Sequence, residues 1–211
     1  MFDRIVVVSL ARRPDRLAGF RARLGEAWPD GLSRLEVMAA IDGEKCPKPD
    51  WFTATAGAWG CYRSHQQILE SSLDAGIDSV LIFEDDAAFV PDFPGCLDAL
   101  LEALPGDWGQ LYLGGQHLRP PEPVNECVVR AVNINRTHAY AIRGRENLSQ
   151  IYRWLHSGDH WKGRHHVDHH YGRLHARRFP SYAPRQWLCG QAAGTSDVAA
   201  RHDAKERWWR R

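Results

Sequence analysis

The 211-residue sequence has no apolar run long enough to cross a bilayer as a helix. Near the N-terminus, Ile5 to Leu10 is apolar, but Arg12, Arg13 and Asp15 follow at once. With no longer apolar region and no small-residue cleavage site, no secretory leader is expected. The expected location is cytoplasmic, with peripheral contact at the inner face of a membrane as an alternative. Cysteine is sparse: Cys46, Cys61, Cys96, Cys127 and Cys189 are scattered, odd in number and without CxxC spacing. That argues against a disulfide framework and a cysteine-built zinc site, and for reduced thiols. Internal repeats, low-complexity tracts and convincing linkers are also lacking.

What is present is ordinary for a globular chain: 44% hydrophobic and 25% charged residues, enough for one large domain. Net charge is only +1, but it is unevenly spread. Residues 1–105 carry 10 basic and 17 acidic side chains (−7), and residues 106–211 carry 17 and 9 (+8). Either two solvated faces attract each other, or a metal-binding acidic half lies beside a basic half that meets an anion. The tail Arg207-Trp208-Trp209-Arg210-Arg211 interleaves cations with aromatics. It suits phosphate, a membrane surface, a neighbouring subunit or simple packing.

The most informative stretch is Val80-Leu81-Ile82-Phe83-Glu84-Asp85-Asp86. A short uninterrupted apolar run suits a strand buried on both faces of a parallel sheet. Ligands of such sheets bind beyond the carboxyl ends of the strands. Three consecutive acids repel one another, and a hard divalent cation bound through carboxylate oxygens would offset that. The plainer alternative is an acidic, solvated turn after a core strand.

Strands are expected at 4–10, 35–39, 79–84, 110–113, 127–132, 138–142 and 179–182. The strand at 110–113 should break at Gly114-Gly115. Helices are expected after Pro14 (apolar stripe Leu17, Phe20, Leu24, Ala27), at 57–75 closed by Gly76, at 93–104 and at 144–156. The last fifteen residues are charged and open to a helix. Alternation of strands and helices in the first half argues for a parallel sheet and a single α/β domain. Seven of eleven histidines fall between His156 and His175, where His165/His169 and His166/His170 are i, i+4 pairs suited to Zn²⁺ if helical. The alternative is exposed or acceptor-facing side chains.

Several blocks occur in order. They are Ile5–Leu10 with Arg12-Arg13-Pro14-Asp15-Arg16; Ala40-Ile41-Asp42-Gly43; Gly57-Ala58-Trp59-Gly60-Cys61-Tyr62-Arg63-Ser64-His65; Leu81–Asp86; Asp107–Gly114; Thr137–Ile142; Val167-Asp168; and Gln191–Val198 with Ser196-Asp197. Together they resemble glycosyltransferase family 25, which includes lipooligosaccharide and collagen galactosyltransferases. The resemblance implies a GT-A fold: a Rossmann-type, mostly parallel sheet flanked by helices, over residues 1–211. Residues 1–115 would form the nucleotide-sugar half and 116–211 the acceptor half.

It further implies a metal-dependent, inverting transfer of a hexose, galactose or glucose, from a UDP-sugar to a hydroxyl. The acceptor would be a lipopolysaccharide or lipooligosaccharide saccharide, itself open to being anionic. In that pattern Glu84 lies nearest the ribose and Asp86 binds Mn²⁺ or Mg²⁺, with Glu84 or Asp85 assisting and His202 a candidate later ligand. Ser9, Leu10, Arg12, Arg13, Arg16, Ser64 and His65 would join Glu84 and Asp85 in binding the donor, the arginines through phosphate. Asp168 is the first candidate for the base that inversion requires, and Asp197 the second. Both also suit helix capping. An acceptor of modified DNA or another anionic polymer is less favoured, as is a non-catalytic nucleotide- or zinc-binding protein.

Overall fold

The structure, a computed structural model, describes residues 2–157, 166–198 and 201–209. In chain order its elements are β1 (Arg4–Ser9), α1 (Pro14–Ala27), α2 (Pro29–Ser33), β2 (Leu35–Ala39), α3 (Ala56–Asp74), β3 (Ser79–Glu84), β4 (Ala87–Phe89), α4 (Phe93–Ala103) and β5 (Gln110–His117). There follow β6 (Glu122–Pro123), β7 (Val128–Arg130), β8 (Ile134–Arg143), α5 (Arg145–His156), α6 (Val167–His175), β9 (Ser181–Pro184), β10 (Cys189–Gln191), β11 (Gly194–Ser196) and β12 (Arg201–Asp203).

An eight-stranded sheet runs β2-β1-β3-β8-β5-β9-β7-β6. Strands β2, β1, β3, β5, β9 and β6 point one way, and β8 and β7 the other. The sheet is therefore mostly parallel in direction, as expected, with β8 inserted against β3 and β5. Its central strands read as continuous apolar runs because both faces are covered. Val6, Val8, Val80, Ile82, Tyr140 and Ile142 face a core shared with Tyr62, Ile68, Leu148, Ile151 and Tyr171 of α3, α5 and α6. Their neighbours Ile5, Val7, Leu81, Phe83, Ala139 and Ala141 face Phe20, Leu24, Phe93 and Leu97 of α1 and α4. The two-residue strand period divides one sequence run between two cores.

The structure departs from the expectations at four places. The strand expected to break at Gly114-Gly115 continues to His117, with register shifts between Tyr112 and Gln116. Gly114 is there for close approach: a β carbon on it would lie 2.2 Å from Nε2 of His138 and 2.4 Å from the Cys189 carbonyl oxygen. The C-terminal region contains no helix among its described residues; β12 pairs antiparallel with β11, and Arg207 exchanges backbone hydrogen bonds with Gln191. Half of the histidine-rich segment forms α6, while the His165/His169 pair includes a residue outside those described. Finally, β4 and β10 form a separate two-stranded ribbon, Ala87 opposite Gln191, immediately after the acids.

Among the buried polar groups, His175 is held neutral. Its Nε2 lies 3.1 Å from Oε1 of Gln110 and 3.4 Å from the Tyr112 hydroxyl. Burial, reinforced by nearby His117, pushes its pKa down to about 3. The unfolded chain takes up that proton near pH 6.5, the folded chain only near 3. The associated stability is complete above pH 6.5 and is lost as pH falls toward 3. We expect the stability advantage of the native chain over His175→Gln to shrink over that interval by on the order of a few kcal/mol. Chemical denaturation of both proteins at several pH values measures it. A constant advantage would contradict the neutral assignment.

Candidate functional site

The parallel register sets Val8 beside Glu84, so the carboxyl ends of β1 and β3 open into one place. A cleft of about 420 Å³ lies there. Its walls come from the loop after β1, the first turns of α3, the acids after β3, residues 166–168 at the start of α6, and residues 191–198. All the expected donor-binding residues line it except Ser9, and so do Asp86, Asp168 and Asp197. Both halves of the chain contribute. His202 is exposed on β12, 3.2 Å from the Thr195 hydroxyl, and is not among the cleft-lining residues.

Each acid of the triplet meets a different environment. Strand alternation points Glu84 to the α3 side, with Val80 and Ile82. There it accepts a 2.6 Å hydrogen bond from Thr137 and lies 3.5 Å from Nε2 of His65. Burial opposes its ionisation, but His65 and the Thr137 hydroxyl outweigh that and draw the carboxyl down to about 2. Asp85 faces the other way, toward α1. Ser9 donates to it at 2.6 Å and Arg16 lies at 2.5 Å. Burial and then Glu84 raise its pKa against those two partners.

Asp86 is reached by Arg16 at 2.9 Å and by the Gln191 amide at 3.4 Å, both through Oδ2. Its Oδ1 is buried without a hydrogen-bond partner. Burial, followed by the negative charge of Glu84, pushes the Asp86 carboxyl up to about 6. An unpartnered buried acceptor inside an all-oxygen cluster suits a hard divalent cation.

The loop after β1 is held by charge. Arg12 and Arg13 reach Asp197 at 2.7 and 2.8 Å, on opposite oxygens, and Arg16 lies 3.7 Å away. Arg12 also meets Asp42 at 3.1 Å, while the other Asp42 oxygen accepts from the Glu44 N–H. Asp197 thus fastens the last wall of the cleft to the first. Asp168 lies in the first turn of α6, where it accepts from the Arg136 N–H at 3.0 Å and the His169 N–H at 2.8 Å. The tail packs: Trp209 stacks near His138 and lies under the Arg136 guanidinium.

Ser64 works within the wall. Its hydroxyl donates to the Gly60 carbonyl and accepts from the Ile41 N–H. Cys61, Thr137, Arg23 and Gln191 were not singled out in the sequence, although three of them fall inside the quoted blocks. Arg23, which donates to the carbonyls of Asp85 and Ala87, carries no local signal beyond its place in α1.

The sheet order, and acids at the end of a central strand facing a cleft, define a fold of GT-A architecture. The glycosyltransferase involved in glycosylation of the major capsid of PBCV-1 superposes with a TM-score of 0.52 at 10% identity, over 85% of this chain and 79% of that one. The model of glycosyltransferase family 25 (LPS biosynthesis protein) matches residues 2–138, and the chain belongs to that family. Human inactive glycosyltransferase 25 family member 3 is 34% identical over 139 residues, 56% of this chain and 23% of that protein. Mouse procollagen galactosyltransferase 2 is 26% identical over 153 residues, 63% of this chain and 24% of that one. The chain therefore spans about a quarter of the length of these curated relatives.

One packing constraint shapes the cleft. A β carbon on Gly60 would lie 2.4 Å from the Ile41 carbonyl oxygen and 2.6 Å from the Gly43 nitrogen. Alanine would gain about 1 kcal/mol of helix propensity, but overpacking against backbone costs about 1–3 kcal/mol or more. We expect Gly60→Ala to lower unfolding free energy by up to about 2 kcal/mol. Urea denaturation decides this, and a stabilised variant would show that the loop gives way freely.

Proposed function

We propose that the chain is a metal-dependent, inverting hexosyltransferase moving galactose or glucose from a UDP-sugar to a saccharide hydroxyl. The acceptor class is a lipopolysaccharide or lipooligosaccharide glycan, in keeping with the description of the matched family. The observation that carries this reading is the unpartnered Oδ1 of Asp86 at the head of the Glu84-Asp85-Asp86 cluster. Asp86, with Glu84 or Asp85, would hold Mn²⁺ or Mg²⁺, which when bound neutralises charge on a leaving diphosphate. His202, exposed and outside the lining although it touches Thr195, is a weaker candidate ligand.

The chain's own groups supply the rest. Arg12, Arg13 and Arg16 present guanidinium donors along one wall, suited to diphosphate oxygens. Arg16 would exchange carboxylate partners for phosphate ones. Glu84 stays ionised through Thr137 and His65, and is suited to accept from ribose hydroxyls. Asp168 takes the acceptor hydroxyl proton as that oxygen attacks the anomeric carbon from the face opposite the leaving group. The two backbone N–H groups it accepts hold it in place and leave each oxygen a lone pair. Asp197 is the lesser candidate, because both of its oxygens are engaged by arginines.

Five unpaired cysteines suit a reducing compartment, and we place the reaction on the cytoplasmic side, at the inner face of a membrane where a lipid-linked acceptor is met. Among the described residues no helix is long and apolar enough to cross that membrane. A second reading, a fold retained without catalysis, is favoured by the human relative named as inactive. Turnover separates the two.

The test is a screen of nucleotide sugars with Mn²⁺, following nucleoside diphosphate release. Some UDP-hexose should turn over, and none should without the metal. Asp168→Asn should lower kcat about 10²–10⁴-fold while donor affinity is kept. Asp86→Asn should abolish metal-dependent UDP binding without lowering Tm at pH 7.5, because the replaced carboxylate is ionised there against its burial. No binding or turnover with any UDP-sugar would remove the catalytic reading, and unchanged UDP affinity in Asp86→Asn would remove the metal assignment.

A further inference from the structure

Cys61 and His65 stand one turn apart on α3, on the face that looks across to the end of β3. Their ligand atoms and a carboxylate oxygen of Glu84 all lie within 4.8 Å of one another. A tetrahedral ion bonded at about 2.0–2.3 Å sets its ligands about 3.3–3.8 Å apart. Cys61 and Glu84 both border the open cleft, and the ligand atoms would draw together by up to about 1–1.5 Å around such an ion.

The arrangement around His65 points to a cation. The ring is fully buried, and its Nε2 makes no hydrogen bond of good geometry. That nitrogen lies 3.5 Å from Oε1 of Glu84. Two electron-rich atoms at that separation need positive charge between them, from a proton on the ring or from a metal ion. On the far side, Nδ1 is 2.8 Å from the Tyr140 hydroxyl, which is 3.1 Å from the Tyr171 hydroxyl. A metal-ligating imidazole usually has such a partner on its second nitrogen, which fixes the tautomer and aims the other lone pair. Donation of Nδ1–H to Tyr140 leaves the lone pair on Nε2, on the Glu84 side.

We propose that Cys61, His65 and Glu84 form a transition-metal site that takes Zn²⁺ in preference to Mn²⁺ or Mg²⁺. One thiolate, one imidazole and one carboxylate are the ligand types of zinc, whereas Mn²⁺ and Mg²⁺ favour oxygen. Three protein ligands leave a fourth position open toward the cleft for a water or an anionic oxygen. Binding releases the Cys61 thiol proton to solvent; burial keeps that thiol protonated otherwise. The site shares Glu84 with the acid cluster but does not use Asp86, and the assignment does not rest on sugar transfer.

The experiment uses the full chain, stripped with chelator and titrated with Zn²⁺ and with Co²⁺ as an absorbing substitute. The expected result is one ion bound with a thiolate-to-Co²⁺ charge-transfer band that survives about a hundredfold excess of Mn²⁺. Cys61→Ser should remove the band and weaken Zn²⁺ binding by at least the ~10–100-fold that outer partners alone are worth. Glu84→Gln should weaken binding with the band kept. Asp86→Asn should leave both unchanged, which separates this site from the one that serves the donor. Zn²⁺ binding of undiminished affinity in Cys61→Ser, as the histidine-rich segment would give, overturns the proposal. So does a band that Asp86→Asn abolishes, or the lack of any thiolate band.

Discussion

The architecture turns on how three adjacent carboxylates at the end of β3 are kept compatible with burial. One shared counter-charge is not enough, because strand alternation sends Glu84 and Asp85 to opposite faces. Glu84 is balanced by Thr137 and His65, whereas Asp85 and Asp86 share Arg16, with Ser9 completing the first and Gln191 the second. These partners come from β1, α1, α3, β8 and the segment at β10. Satisfying one tripeptide therefore fixes where five parts of the chain must meet. The compensation is incomplete at Asp86, whose pKa lies near 6, and that shortfall makes the corner suited to a cation.

Much of the fold was legible in the sequence because its signals are local and strong. The apolar runs of β1 and β3, the stripe of α1 and the proline at its first turn each report an element whose two faces or one face are buried. The acids were legible as a candidate site for a similar reason: consecutive charges directly after a buried strand conflict with burial unless something compensates them. What could not be read depends on partners far away in sequence. Three-residue strands such as β4 and β10 exist only because they pair across about a hundred residues. Gly114-Gly115 looks like a break, yet the side chain is missing because His138 and the Cys189 carbonyl occupy that space.

Charge gives a similar lesson. The first half of the chain is net acidic and the second net basic, which suggests an acidic half meeting a basic one. Around the cleft the pairing runs the other way. Arginines of the acidic half, Arg12, Arg13 and Arg16, gather around Asp197, an acid of the basic half. Bulk charge reports solvated surface, and the local pairs are set by which strand ends and loops converge. Family membership and GT-A architecture follow from sequence blocks and topology, whereas the roles proposed for Asp86 and Asp168 rest on what their oxygens touch.

The N-terminal half of α3 is where several walls of the cleft cross. Gly60 admits the backbone of residues 41–43, Ser64 ties down Ile41, and Thr55, which caps the helix, also donates to the Val198 carbonyl. The loop after β2 and the last wall of the cleft thus share a single fulcrum. Both walls are thereby anchored to one helix. The opening turn of α6, with Asp168, is tied to the same helix through the core that Tyr62 shares with Tyr171.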